Sequence, residues 1–343
     1  MRAIAYSETG PSSVLRIVDR DVPEPAGGEV RVRVVVSGVN PTDWKARAGA
    51  RAGRPAPFSE VVPNQDGAGV VDAVGDGVTG FEVGDRVWVF LAAHERPTGT
   101  AQEFTVLPTA RVVHLPDAAS FDLGASLGVP AMTAHRALTV HEGGPTRLSP
   151  GALDGRTVLV AGGAGAVGHA AIQLARWAGA RVITTVSSPE KAALATAAGA
   201  HHVVNYRTDD AAKAIRAIAP DGVDQVVEVS PARNAELNAR VIANHGSISV
   251  YATDGGAELI LDVRRHFSLN VRYQFLLLYT VGDAPLAAAA DDVTRAVADG
   301  ALPVGEDAGL PLARFPLEGA AAAHDAVEAS TVGKVLIDVA AVS

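Results

Sequence analysis

Gly162, Gly165 and Gly168 stand three residues apart in RTVLVAGGAGAVGHAAIQLAR, the stretch from Arg156 to Arg176. Val158, Leu159 and Val160 ahead of them form an apolar strand, and the small residues after them read as a helix. A glycine turn between a strand and a helix suits one task, the binding of a dinucleotide pyrophosphate. The missing Cβ atoms let the backbone approach the phosphates. The amides of Ala166 and Val167 then head the helix, whose dipole attracts an anion without a basic side chain. A glycine run alone is often a mere turn, but here strand and helix stand where the motif requires them. The expectation is a nicotinamide enzyme.

The second strand of such a fold, here Arg181 to Val186, decides between the two nicotinamide cofactors. An NAD site ends that strand, about twenty residues past the glycines, in Asp or Glu to hold the ribose hydroxyls. This strand ends in Ser187 and Ser188. No carboxylate repels a 2′-phosphate, and two hydroxyls with Lys191 offer donors to one, so NADPH is the expected cofactor. Ser188 is also a helix N-cap with Pro189 at the first helical position. Lys191 taken alone reads equally as a solvated helix residue.

The bulk properties bound the rest. At 343 residues, 48% of them hydrophobic, the chain is long enough for two domains with separate cores. It has 0 cysteines, which removes disulfides, thiol nucleophiles and thiolate metal sites together. His201 and His202 point to opposite faces of a strand and no His-x-x-x-His pair occurs, so no metal is expected. A net charge of −9 argues against a nucleic-acid surface. No apolar run reaches the roughly 18 residues a membrane span needs, and the first residues show no secretory apolar region. The expected location is the cytoplasm.

Pattern changes divide the chain. Val30, Val32, Val34 and Val36 alternate with period two, so residues 1–124 read as a β-rich domain. Over 125–278 strands alternate with helices, as in a doubly wound parallel sheet covered on both faces. Its strands are expected at Val158 to Ala161, Arg181 to Val186, His202 to Tyr206, Val223 to Val229 and Ser247 to Ala252. The apolar segment Val271 to Leu278 reads as a sixth strand, a dimer edge or a pocket wall. Residues 279–343, with a helix over Ala287 to Ala298 and a strand over Gly333 to Val339, are expected to return to the first domain.

Six landmarks in order resemble the medium-chain dehydrogenase/reductase superfamily, and within it the zinc-free quinone oxidoreductases related to zeta-crystallin. They are Gly38-Val39-Asn40-Pro41-Thr42-Asp43, Asp66-Gly67-Ala68-Gly69-Val70-Val71, Gly84-Asp85-Arg86-Val87, Thr133 in AMTAHRAL, the glycine turn, and TVSSPEK from Thr185 to Lys191. The resemblance covers nearly the whole chain. It implies an α/β Rossmann domain with a doubly wound parallel sheet, a GroES-like β-rich domain built from both chain ends, and an active site in the cleft between them. It implies that Asn40 and the segment Pro41 to Lys45 lie beside the nicotinamide, with Thr42 and Thr133 on the cofactor. It places Ser187, Ser188, Lys191 and Tyr206 around the adenosine phosphate, and Ser230, Tyr251 and Lys334 complete the cofactor set. Zinc-dependent relatives carry a cysteine near Asn40 and a His-Glu pair near Gln65-Asp66; this chain carries none of those ligands.

A nicotinamide in a zinc-free site delivers hydride to an acceptor that is already electron-poor, such as a quinone or an alkene conjugated to a carbonyl. The protein must hold ring and acceptor together, exclude water and offer a hydrogen bond to the developing oxyanion. Asn40 and Asp43 are the catalytic candidates, although both also suit the capping of a turn, and Gln65 and Asp66 share that ambiguity. No residue stands out as a general acid, since His94 and His266 sit in unplaced loops. The readings left open are a quinone oxidoreductase, an enone or enoyl-thioester reductase, and a non-catalytic NADPH-binding protein. A homodimer is expected through the apolar segment Leu269 to Leu278.

Overall fold

The computed structural model describes residues 1–49 and 56–340. It divides into two compact units, Met1–Val129 with Leu312–Ser343, and Pro130–Pro311.

The first unit is β-rich because its valines alternate. β1 (Arg2–Ala5) pairs with β2 (Arg16–Asp19), and β3 (Glu29–Val39) is the long central strand. Val30, Val32 and Val34 point inward along β3 while Glu29, Arg31 and Arg33 do not. α1 (Pro41–Ala48) follows directly, then β4 (Asp66–Val74), β5 (Arg86–Val89), β6 (Phe104–Pro108) and β7 (Val112–His114). Val30, Val32, Val71, Val87, Val89 and Leu107 form one core of this sheet. α2 (Phe121–Leu138) then carries the chain across the division between Val129 and Pro130. The change of pattern read at Gly124 therefore falls inside a helix.

The second unit is the doubly wound sheet. β8 (Thr157–Ala161), α3 (Ala166–Trp177), β9 (Arg181–Val186), α4 (Pro189–Ala197), β10 (His202–Asn205), α5 (Ala211–Ile218), β11 (Val223–Glu228), α6 (Pro231–Val241) and β12 (Ile242–Val250) alternate as expected. After α7 (Val263–Ser268), β13 (Arg272–Phe275) pairs in parallel with β12 as the sixth strand. The order is β10-β9-β8-β11-β12-β13, with every neighbouring pair parallel. The winding reverses between β8 and β11, so the topological switch point of this sheet lies at the carboxyl ends of those two strands.

The segment 279–311 does not return to the first domain as expected. It groups with the second unit, because α8 (Asp283–Ala298) and the loop after it are tied to α2 and α3. Buried Asp292 accepts from His135 Nε2 at 2.8 Å and from Leu148 N at 2.7 Å, and pairs with Arg147. His169 Nε2 donates to the Ala308 carbonyl at 2.8 Å, and Gln173 to that of Pro303 at 3.0 Å. The return begins only with β14 (Leu312–Pro316), α9 (Ala320–Glu328) and β15 (Lys334–Asp338). β15 pairs antiparallel with β3, bringing the last strand into the first sheet. No helix among the described residues is long and apolar enough to cross a membrane.

Candidate active site

In the second unit the parallel sheet gathers residues far apart in sequence at one end. Gly162 to Gly168 leave the carboxyl end of β8, Ser187 and Ser188 that of β9, Ser230 that of β11, and Tyr251 that of β12. Gly162 has φ +71°, and a Cβ on Gly168 would lie 2.4 Å from the Gly162 carbonyl oxygen. Turn and helix thus close on each other only through glycine. Gly165 caps α3, and Ala166, Val167 and Gly168 begin it with amides that no earlier turn of that helix can satisfy. That set of amides fits a pyrophosphate.

At the end of β9, Ser188 caps α4 and accepts from Lys191 N at 3.3 Å, with Pro189 in the first turn. Ser187, Ser188 and Lys191 are half-buried, and Tyr206, whose amide donates to Val186 O at 3.1 Å, is 51% exposed. Ser230 Oγ donates to Asp254 O at 2.6 Å. Glu228, which the sequence reading passed over, fixes this turn. Its buried carboxylate accepts from Ser230 N at 2.5 Å, Asn234 Nδ2 at 2.9 Å and Asn238 Nδ2 at 2.6 Å. Burial, with Glu228 and Asp254 adding, pushes the Tyr251 phenol well above its usual range. Thr133 is buried within α2. His266 is held locally by Asp262 O and the Tyr273 hydroxyl, which accounts for its ring.

In the first unit Asn40, Asp43 and Lys334 come together, and Asp66 joins them. Asn40 caps α1, Pro41 and Thr42 open that helix, and Asp43 turns back to accept from Asn40 N at 2.7 Å. Gln65 N donates to the other Asp43 oxygen at 3.1 Å. Asn40 Nδ2 donates to Asp66 Oδ2 at 2.7 Å, while Lys334 Nζ donates to Asn40 Oδ1 at 2.7 Å and lies 3.7 Å from Asp66. Val129 N also donates to Asp66 at 2.9 Å. α2 comes this close because a Cβ on Gly128 would sit 2.1 Å from Asp66 Oδ1. Lys334, assigned to the cofactor by the resemblance, is 2% exposed and engaged with Asn40 and Asp66.

The electrostatics follow from two carboxylates and one ammonium in a dry place. Burial, with Asp66 adding, pushes Asp43 up to about 7 against the Asn40 and Gln65 amides and Lys334. Burial also raises Asp66, opposed chiefly by Lys334, and lowers Lys334, opposed by Asp66 and Asp43. A second buried chain braces the same loop. His324 Nε2 donates to Asn64 Oδ1 at 3.0 Å, Asn64 Nδ2 to Ser37 Oγ at 2.9 Å, and Thr100 Oγ1 to Asp66 O at 2.6 Å. Burial, with Arg47 adding, lowers His324 to about 3, which keeps that imidazole neutral.

Beside Asp43 the first unit holds a cavity of about 440 Å³, walled by Tyr6, Phe58, Val61 and Pro63 and edged by Asn64 and Gln65. Asp43, Glu95 and Arg96 also line it, and an apolar wall with a few polar and charged groups at this size suits a small organic ligand. Sequence reasoning found neither Tyr6 nor Asn64. Tyr6 lies in the first strand region with no motif around it, and Asn64 is marked only by its position beside Gln65-Asp66.

Family models agree with both units. One described as "Alcohol dehydrogenase GroES-like domain" matches residues 26–117, and one described as "Zinc-binding dehydrogenase" matches 166–291. A quinone oxidoreductase of Rattus norvegicus is 35% identical over 262 residues, 76% of this chain and 75% of that protein. A 2-haloacrylate reductase of a Burkholderia species is 29% identical over 98% of both chains. Among solved structures, an NAD-dependent alcohol dehydrogenase superposes with TM-score 0.84 at 31% identity, covering 99% of this chain and 100% of that one. The Escherichia coli quinone oxidoreductase complexed with NADPH superposes with TM-score 0.80 at 25% identity, covering 98% and 100%. This chain belongs to the medium-chain dehydrogenase/reductase superfamily, and within it to the quinone oxidoreductase family of oxidoreductases related to zeta-crystallin. The zinc of the second description does not fit this donor set. An amide, Asn40, stands between Asp66 and an ammonium, and the chain has 0 cysteines.

Proposed function

We propose that this protein is an NADPH-dependent quinone oxidoreductase that works without a metal. The observation that carries the reading is the cavity beside Asp43, mostly apolar in its walls and, among the described residues, with no group of metal ligands next to it. An acceptor bound there must supply its own polarisation, as a quinone does. The bound nicotinamide would supply the hydride. The amides of Ala166, Val167 and Gly168 would hold its pyrophosphate, with Gly162 and Gly165 giving the backbone room. Ser187, Ser188, Lys191 and Tyr206 would surround the adenosine phosphate, and Ser230, Tyr251 and Thr133 would line the rest of the site. Asn40, with Pro41 and Thr42, would orient the nicotinamide end, and Lys334 would act by holding the Asn40 amide in place. Asp43, its carboxyl raised to about 7, can hold or release a proton beside the acceptor near neutral pH.

The test is NADPH oxidation against a panel of quinones, enones and enoyl-CoA esters, before and after exhaustive chelation. Quinone turnover that survives the chelator supports the reading; activity lost with chelator and restored by zinc overturns its metal-free part. A second reading is reduction of an activated alkene, favoured by the 2-haloacrylate reductase that matches 98% of this chain. Turnover of enoyl substrates alone would select it. NADPH binding with no turnover of any acceptor would leave a non-catalytic binding protein.

Cofactor choice has its own expected outcome. Lys191→Ala weakens NADPH by ten- to a hundredfold and leaves NADH nearly unchanged, because a charge-assisted phosphate contact is worth about 1.5–3 kcal/mol. Titration of both cofactors checks this, and equal wild-type affinity for NADH and NADPH overturns the choice. We also read the protein as a cytoplasmic homodimer joined along β13. Phe275 and Leu277 are 61% and 55% exposed at that sheet edge, where pairing with a second copy would satisfy the backbone and cover both side chains. Sedimentation of the wild type as a dimer and of Phe275→Asp as a monomer is expected. A variant that stays dimeric while losing only quinone affinity would assign the segment to a pocket.

A further inference from the structure

Tyr6 presents an unexplained polar group. Its backbone exchanges two hydrogen bonds with Val61, Tyr6 N to Val61 O at 3.0 Å and Val61 N to Tyr6 O at 2.9 Å, so the residue is pinned to another wall of the same cavity. The ring packs in the apolar core with Ile4, Val61 and Val62, and the residue is 5% exposed. Among the described residues no hydrogen bond engages its hydroxyl, and the hydroxyl is not one of the enclosed polar atoms left without a partner, so it opens to free space where Tyr6 lines the cavity.

We propose that the Tyr6 hydroxyl is the hydrogen-bond donor to the acceptor's oxygen, the atom on which negative charge grows as the acceptor is reduced. The inference rests on the proposed reductase reading and deepens it by naming the oxyanion-stabilising group. The acceptor class it selects carries a carbonyl oxygen in conjugation with the carbon or ring that is reduced, as quinones and enones do. Burial, with Asp43 adding and Arg47 opposing, pushes the phenol up to about 12. Tyr6 therefore keeps its proton throughout the neutral range and acts as a neutral donor. A donor already fixed by its backbone and ring needs no reorganisation when charge develops, which is where such a group contributes most.

Tyr6→Phe keeps the ring and removes only the hydroxyl. With NADPH and 1,4-naphthoquinone, the variant is expected to lose on the order of 100-fold in kcat while its NADPH affinity and melting temperature stay at the wild-type values. p-Nitrophenolate, whose oxygen mimics the charged product and whose absorbance reports hydrogen bonding, is expected to bind the cofactor-free wild type about tenfold more tightly than the variant. Equal turnover together with equal phenolate binding overturns the role of Tyr6 and leaves the reductase reading standing. Wild type that reduces no acceptor, yet binds the phenolate in a Tyr6-dependent way, removes the reductase reading and keeps Tyr6 as an oxyanion anchor. No phenolate binding to the wild type overturns the inference.

Discussion

Gly168→Val weakens NADPH by more than about 100-fold, the largest effect expected of any single substitution on binding. A Cβ at this position lies 2.4 Å from the Gly162 carbonyl oxygen and 3.0 Å from the Gly163 Cα, both backbone atoms that cannot turn aside. α3 must shift away from its turn, and with it go the amides of Ala166, Val167 and the substituted residue itself, which the proposed function assigns to the pyrophosphate. Overpacking of this kind also costs about 1–3 kcal/mol of stability, so the fold is under strain as well. Gly165→Ala separates the two effects. Its φ is −84° and the nearest atom to a new Cβ is 3.5 Å away, so the protein should melt as the wild type does. The added methyl nevertheless stands at the cap where the pyrophosphate would approach, and calorimetric titration should find NADPH weakened. Wild-type NADPH affinity in Gly168→Val would mean that this turn is not the phosphate site.

Removing the buried cation has the largest expected effect on stability. Lys334→Met leaves Asp66 and Asp43 in a dry pocket with no ammonium, and breaking a buried pair from one side costs about 3–5 kcal/mol. The cost depends on pH in a definite direction. Asp43 already has a folded-state value of about 7, raised from the ordinary carboxylate value of about 4, so the folded wild type binds the proton more tightly than the unfolded chain. Stability from that proton is present at low pH and is lost as pH rises through about 7. Without Lys334 both carboxylates rise further. The penalty is therefore expected near its full size at pH 8 and much smaller at pH 5, where the carboxyls are held protonated in the folded state. Scanning calorimetry of wild type and variant at the two pH values measures the difference. An equal loss at both would mean that Lys334 contributes packing alone.

The turn between β8 and α3 was legible along the chain because its determinants are local. A strand, three glycines and a helix fall within about twenty residues, and they fold in that order. Ser188 with Pro189 likewise announced the start of α4 by cap chemistry, and the structure puts the cap there. Period-two valines foretold β3, and the run Lys334 to Asp338 foretold a closing strand that joins the first sheet. Helix content hid more. Gly124 stands at the change of pattern but lies inside α2, where a Cβ would come within 2.7 Å of Ala68 Cβ. Glycine there serves close packing. The grouping of 279–311 with the second unit was equally hidden, because a buried Asp292 paired with His135 and Arg147 leaves no local mark.

By itself the sequence determined the alternating strands and helices of the doubly wound sheet as far as β12, the glycine turn, the missing acid after the second strand and the want of thiolate ligands. Only the tertiary structure decided what Asn40 and Asp43 do. Asn40 lies 26 residues from Asp66 and 294 from Lys334, and they meet because β3 pairs with β4 on one side and with β15 on the other. Neither pairing register can be read from a local pattern. Tyr6 is likewise far along the chain from Val61, Asn64 and Asp43, which share its cavity. Hydrogen-bond caps and strand periodicities act over a few residues and are written in order along the chain. Burial, which raises Asp43 and Tyr6 and lowers Lys334, is a property of everything packed around a group, and it exists only once the chain has closed.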